Sequence, residues 1–162
     1  MVDYHSYIAM MRRDKTIYGH PLLAYRAMFD VSSAEICVFT GRADRDYMKD
    51  MLGAAVRFLS QPGRTLRLAC QCGRATICDC DIVRGLVGAV GRLGRVIVYD
   101  SSRYHGMPYV MIADGRGYCH DQGDRAEINY GNESESARWQ TDFDRIAAKS
   151  QVVIDTHEGN VQ

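Results

Sequence analysis

Lysine, proline and tryptophan are scarce in this chain of 162 residues: lysine occurs only at Lys15, Lys49 and Lys149, and there are 3 prolines and 1 tryptophan. An excess of charge is missing too, since 20 Lys and Arg balance 20 Asp and Glu for a net charge of +0. That balance excludes a polycationic tail protein that holds nucleic acid by charge alone. An apolar share of 46% beside 25% charged residues excludes disorder over most of the length. No apolar run is long enough to span a membrane. Met1 to Lys15 carries Arg12 and Arg13 with no apolar segment behind them, so no secretory signal is expected and a cytoplasmic compartment is. Phosphate-loop, dinucleotide-fingerprint and nucleophile-elbow patterns are all missing.

What is present is arginine, cysteine and an uneven spread of charge. The length suits one hydrophobic core. Of the 20 basic residues, 17 are Arg, whose planar fork suits carboxylates and phosphates. Residues 1–100 hold 14 basic and 10 acidic side chains, and residues 101–162 hold 6 and 10. The halves are therefore oppositely charged, and those fields could orient the pairing of two copies. In a reducing compartment the six cysteines read as thiols, metal ligands or redox groups before structural disulfides.

The periodicity is that of alternating helix and strand. Tyr4 to Arg12 reads as a short helix, and Pro21 opens another that runs to about Phe29. Glu35 to Thr40, Thr65 to Cys70 and Arg95 to Tyr99 are short β-branched or apolar runs and read as strands. Between them, Arg45 to Ser60 and Ile82 to about Leu93 carry helical spacing, with Asp44 and Asp81 as caps. The glycines at 85, 88 and 91 fall inside the second of these and read as close packing rather than phosphate binding. Right-handed crossovers make the three strands parallel. Tyr109 to Ala113, the turn signal Asp114-Gly115, Gly117 to His120 and Ala126 to Tyr130 then add antiparallel strands. A last helix runs from about Glu133 to Ser150, with Ala137, Phe143, Ile146 and Ala147 facing the core. The expected class is α/β, a mixed sheet with helices on both faces. The expected domain spans residues 20–154, after an N-terminal extension over 1–19 and before a flexible tail over 155–162.

Three stretches carry a family resemblance. Ala24 to Thr40, Met107 to Gly115 and Ala126 to Asn132 resemble, in order, the first helix and strand, the H-x-K-x4-D strand and turn, and the G-S-x-N strand of a phospholipase D superfamily half-domain. In that family the motif His is the nucleophile, the Lys holds the phosphate, and the Asn helps cradle it. With Asp114 as the motif Asp, Met107 stands at the His position and Tyr109 at the Lys position. Met cannot attack phosphorus as an imidazole does, and Tyr supplies no compact cation. Only Asp114 and Asn129 remain of the motif. The resemblance therefore implies a degenerate, non-catalytic phospholipase D-like domain, a pseudoenzyme that binds or regulates. It also implies a homodimer, because lone half-domains of the family pair across the motif face, and Met107 to Ile112 is the expected contact strand.

Two alternatives stand beside that reading. One is a phosphodiester hydrolase of altered mechanism, a phosphodiesterase or nuclease using His105, Asp114, His120 and Asn129. The other is an adaptor stapled by zinc through Cys70, Cys72, Cys78 and Cys80, since four thiolates satisfy tetrahedral Zn²⁺. Cys119 and His120 are adjacent on a strand and point to opposite faces, which makes them a poor catalytic dyad. Nucleic acid is the further candidate partner, through Arg42, Arg45, Arg64, Arg67 and Arg74, with Tyr47, Tyr99, Tyr104 and Tyr109 as possible stacking rings.

Overall fold

The computed structural model describes residues 4–11, 16–41, 46–90, 94–104, 106, 108–157 and 160–161. Their elements run α1 (Tyr4–Met11), β1 (Ile17–Gly19), α2 (Pro21–Val31), β2 (Glu35–Thr40), α3 (Asp46–Leu59), β3 (Thr65–Cys70), α4 (Arg74–Asp79), α5 (Asp81–Val90), β4 (Arg95–Asp100), β5 (Tyr109–Ala113), β6 (Gly117–Asp121), β7 (Ala126–Tyr130), α6 (Glu133–Lys149), β8 (Gln151–Asp155) and β9 (Asn160–Val161). All strands join one sheet in the order β1-β7-β6-β5-β2-β3-β4-β8-β9. β2, β3 and β4 are parallel, as their helical crossovers require, and every other pairing is antiparallel.

Strand alternation divides the core into two layers. Ile36, Val38, Leu66, Leu68, Val96 and Val98 face α2, α3 and α5, where Met28, Phe29, Phe58, Leu59 and Leu86 meet them. Cys37, Phe39, Ala69, Ile97, Tyr99, Val110 and Ile112 face the other way and meet Phe143, Ile146 and Ala147 of α6. The α6 layer is thin and mixed. Its centre is Phe143, fully buried, with its ring 5.0 Å from Phe39 and 6.3 Å from Tyr99. Beside it lies Arg67, whose guanidinium sits 4.9 Å from the Phe143 ring and 5.6 Å from that of Tyr99. Arg67 Nη1 donates to Asp144 at 2.9 Å and Nε donates to Tyr99 Oη at 3.1 Å. An amphipathic side chain thus lets a polar helix dock on a strand that carries a cation.

Several boundaries differ from the sequence reading. Residues 1–19 are no mere extension: Met11 is fully buried, and Ile17–Gly19 pairs with β7 at the sheet edge. The tail expected to be flexible contains strand. Asp155 ends β8, which pairs with β4, and β9 pairs with β8. The cysteine loop contains α4, which starts after Gly73 and buries Ile77. Ala137 is exposed on α6 rather than in the core. β5 is not an exposed contact strand. It lies between β2 and β6 with helices over both faces, and Val110, Met111 and Ile112 are fully buried.

Candidate functional site

β5 is the strand on which the motif would stand, and its two ends do different things. At its far end Asp114 (φ 55°) and Gly115 (φ 65°) form a tight left-handed turn into β6. The Asp114 carboxylate turns back onto the start of β2. It accepts from the backbone N–H of Ser33 at 2.9 Å, Ala34 at 2.8 Å and Glu35 at 2.9 Å. Tyr130 Oη adds a longer bond at 3.4 Å. The Asp114 carboxylate is therefore engaged in holding backbone.

At the near end, His105 and Met107 lie outside the described residues. Tyr109 packs over Gly41, just after β2. A Cβ on Gly41 would come within 2.6 Å of the Tyr109 hydroxyl. The Tyr109 ring thus lies directly against the Gly41 backbone, and a side chain at 41 would have to displace its hydroxyl. The other candidate groups are spread out. His120 pairs with Val110 across the β5–β6 ladder, so Asp114 lies four residues further along, about 13 Å away. Asn129 is buried on β7, donates to Thr16 Oγ1 at 3.0 Å and accepts from the Asn132 N–H at 2.9 Å. Asn132 in turn caps α6 by accepting from the Glu135 N–H at 3.1 Å. Asn129 is thus a fastener between β1, β7 and α6.

His120 faces α6, and its ring lies 5.6 Å from that of Trp139. Next to this pair a cleft of about 230 Å³ opens between α6 and the segment leading into β5. Phe39, Trp139 and Ile146 give it apolar walls, Gly106 and Pro108 form the opposite lip, and Asp142 and Arg145 supply charge. Those two side chains approach to 3.6 Å on the exposed face of the helix. Trp139 Nε1 is buried and has no hydrogen-bond partner among the described residues. The sequence reading did not reach this cleft. Its signal was the single tryptophan on a polar helix, set at helical spacing with Asp142, Phe143 and Ile146.

The four cysteines at 70, 72, 78 and 80 lie at the carboxyl ends of the parallel strands. All six cysteines of the chain are thiols. Cys70 is fully buried, Cys80 nearly so, and Cys72 and Cys78 are half-buried. The Cys70 thiol is pushed well up by its hydrogen bond with the Cys72 thiol, then by burial and by the charges of Cys72, Cys80 and Asp100. Among the described residues no three Cys, His, Asp or Glu side chains are arranged to hold a metal ion. Burial pushes the Cys119 thiol up, with the charge of Asp121 adding to it.

The arginines do not form one stripe. Arg42 and Arg45 lie outside the described residues. Arg67 is internal: burial works against its charge, but the bonds it donates to Tyr99 and Asp144 outweigh that and raise its pKa. Arg64 lies over the Phe58 ring at 5.1 Å, at the amino end of β3. Arg74 follows the carboxyl end of β3 and donates its backbone N–H to Asp100 at 3.1 Å. A six-residue strand separates those two positions, about 20 Å. Of the tyrosines, Tyr99 is buried beneath α6 and not available to a base.

No protein-family model matches this sequence, and no curated protein matches it. Solved structures do share its fold. Nuc from Salmonella typhimurium, a phospholipase D family member, aligns with a TM-score of 0.60 at 11% identity, over 85% of this chain and 97% of that one. TrmBL2, an archaeal chromatin protein described with a novel mode of DNA binding, aligns with a TM-score of 0.55 at 12% identity, over 91% of this chain and 58% of that one. The fold is a mixed α/β sheet of phospholipase D-like form.

Proposed function

We propose that this chain is a phospholipase D-like module that binds nucleic acid without cleaving it, and that one unstacked base of the ligand enters the cleft beside Trp139. The absence of cleavage rests on the motif strand: Met107 and Tyr109 replace the nucleophile and the cation, and Tyr109 is lodged against Gly41. The single observation that favours a base is the cleft itself. Its volume of about 230 Å³ is below the roughly 300–1,000 Å³ that encloses a whole drug-sized ligand. It therefore fits one group of a larger molecule whose remainder lies outside. Aromatic walls suit the face of a base, and Arg145 at the rim suits a phosphate. TrmBL2, which shares the fold, binds DNA.

The hydrolase alternative lacks a comparable arrangement, because Asp114 and Asn129 are committed to backbone and to Thr16. The zinc adaptor lacks three converging ligands among the described residues. Self-association belongs to the reading through the resemblance alone.

The test uses the one tryptophan as reporter. A single-stranded oligothymidylate is expected to quench Trp139 fluorescence at low salt, and Arg145→Ala to weaken that binding several-fold. Duplex DNA of equal length is expected to bind more weakly. No quenching and no comigration with oligonucleotide at low salt would remove nucleic acid as the ligand. Hydrolysis of bis-p-nitrophenyl phosphate that disappears in His120→Ala would replace the binding module with a catalyst. A strictly monomeric species in sedimentation at micromolar concentration would remove the pairing.

A further inference from the structure

Cys70 and Cys72 stand on a turn whose backbone is fixed on both sides. The Gln71 N–H donates to Thr40 O at 2.9 Å, and Cys70 O accepts from the Ser101 N–H at 2.7 Å. Within that frame the two thiols are hydrogen-bonded to each other. Cys70 is sealed beneath the turn, and Cys72 is half-exposed above it. The pair lies at the end of β3 and contributes nothing to the Trp139 cleft. We propose that Cys70 and Cys72 are a redox-active pair that forms a reversible disulfide, with Cys72 the thiol that meets a peroxide.

The step balances as follows. The sulfur of Cys72 attacks one oxygen of hydrogen peroxide and the O–O bond breaks. Cys72 becomes a sulfenic acid, and the departing hydroxide leaves as water with the thiol proton. The sulfur of Cys70 then displaces the sulfenic hydroxyl. An S–S bond forms, an S–O bond breaks, and the Cys70 proton leaves in a second water. Both thiols are oxidised by one electron each, and the peroxide is reduced to water.

The surroundings assign the order of events. Cys70 is buried from the oxidant, whereas Cys72 is half-exposed to it, so Cys72 meets the peroxide first and Cys70 resolves it. A disulfide closed over residues two apart forms a small, strained ring. Strain raises the reduction potential, so a dithiol reopens it readily.

The natural arginines make the test direct. Trypsin cuts after Arg67, Arg74 and Arg84, which places Cys70 and Cys72 on one peptide and Cys78 and Cys80 on the next. The reduced full-length protein is treated with equimolar hydrogen peroxide, alkylated and digested. The peptide 68–74 is expected to lose two hydrogens, to escape alkylation, and to recover both thiols after dithiothreitol. Cys37 and Cys119, both fully buried, serve as unreactive controls. Cys70→Ala is expected to leave Cys72 as a sulfenic acid that dimedone traps, and Cys72→Ser to leave Cys70 a thiol. A cross-link between the two peptides would overturn the assignment, as would equal oxidation of all six cysteines. Zinc retained at about one per chain by the purified reduced protein would overturn it too, by making the thiols metal ligands.

Discussion

Replacing Asp114 tests whether its carboxylate holds the fold or serves chemistry. Its carboxylate accepts three backbone N–H groups at the start of β2. At about 1 kcal/mol net for each bond, Asp114→Ala loses about 3 kcal/mol. Alanine must also adopt φ near 55°, which costs an L-residue with a Cβ about 1 kcal/mol more. Asp114→Gly loses the bonds but accepts the turn, so its cost stays near 3 kcal/mol. Asp114→Asn tolerates the turn and keeps one acceptor oxygen, which limits its cost to about 1–2 kcal/mol. The expected order of damage is Ala, then Gly, then Asn. For a chain of this length about 4 kcal/mol lowers Tm by roughly 8–16 °C. Urea denaturation followed by circular dichroism gives the three values. Oligonucleotide quenching at Trp139 is expected to be unchanged in whatever stays folded, since His120 beside that ring is about 13 Å from Asp114. Asp114→Ala within 1 kcal/mol of the parent, or Asn no better than Ala, would refute the account of Asp114 as a backbone clamp.

Three further outcomes follow from the packing. Arg67→Ala is expected to cost about 2 kcal/mol in chemical denaturation, and Arg67→Lys to recover little of it, because Tyr99, Asp144 and the Phe143 face require a planar fork; full recovery by lysine would show that charge alone matters. Arg95 donates to Asp155 at 3.0 and 2.6 Å, and this pairing holds the Asp155 carboxyl below the usual range against the opposing effect of burial. Its stabilisation is complete above the unfolded carboxylate pKa of about 3.9 and is lost as pH falls through the lower folded value; Asp155→Asn should therefore flatten the acid limb of the stability profile, and an unchanged slope below pH ~4 would count against the pair. In Gly94→Ala the new Cβ would meet Leu59 O at 2.4 Å, which should lower stability by about 1–3 kcal/mol, and a neutral result would mean that the α3–β4 contact gives way easily.

The sequence made the parallel centre legible because each of its strands is a continuous apolar run between helical spacings. Glu35 to Thr40 and Thr65 to Cys70 coincide with β2 and β3 to the residue. The Asp114-Gly115 turn was equally plain, since few residues other than Asn, Asp and Gly accept positive φ at both positions. Short edge elements were not. β1 has three residues and β9 two, and such strands are defined by the neighbour they pair with rather than by their own pattern. Strand β8 follows α6 directly and has two exposed residues before its buried ones, so it carries no alternation to read. The cleft was hidden for a related reason. Phe39 lies a hundred residues before Trp139, and only the docking of α6 on β2 brings them to one wall.

The opposite charges of the two halves acquire a cause inside the chain. Helix α6 and strand β8 come late in sequence, yet they cover or pair with β3 and β4, which come from the first half. Any charge that the early strands present at those contacts has to be met by a late residue. Arg67 on β3 meets Asp144 on α6, and Arg95 on β4 meets Asp155 on β8. Both arginines belong to the basic half and both aspartates to the acidic half. A field that in the sequence could orient two copies is thus partly spent in closing one copy, and Asp155, at 3% exposed, contributes almost nothing at the surface. Added salt should therefore weaken the hold of the exposed Asp144 on Arg67 more than that of the buried Asp155 on Arg95, because screening acts through solvent. Comparing the salt dependence of stability in Asp144→Asn and Asp155→Asn separates the two. The parent's salt sensitivity should fall in the first and persist in the second, and the reverse would return the charge asymmetry to the surface.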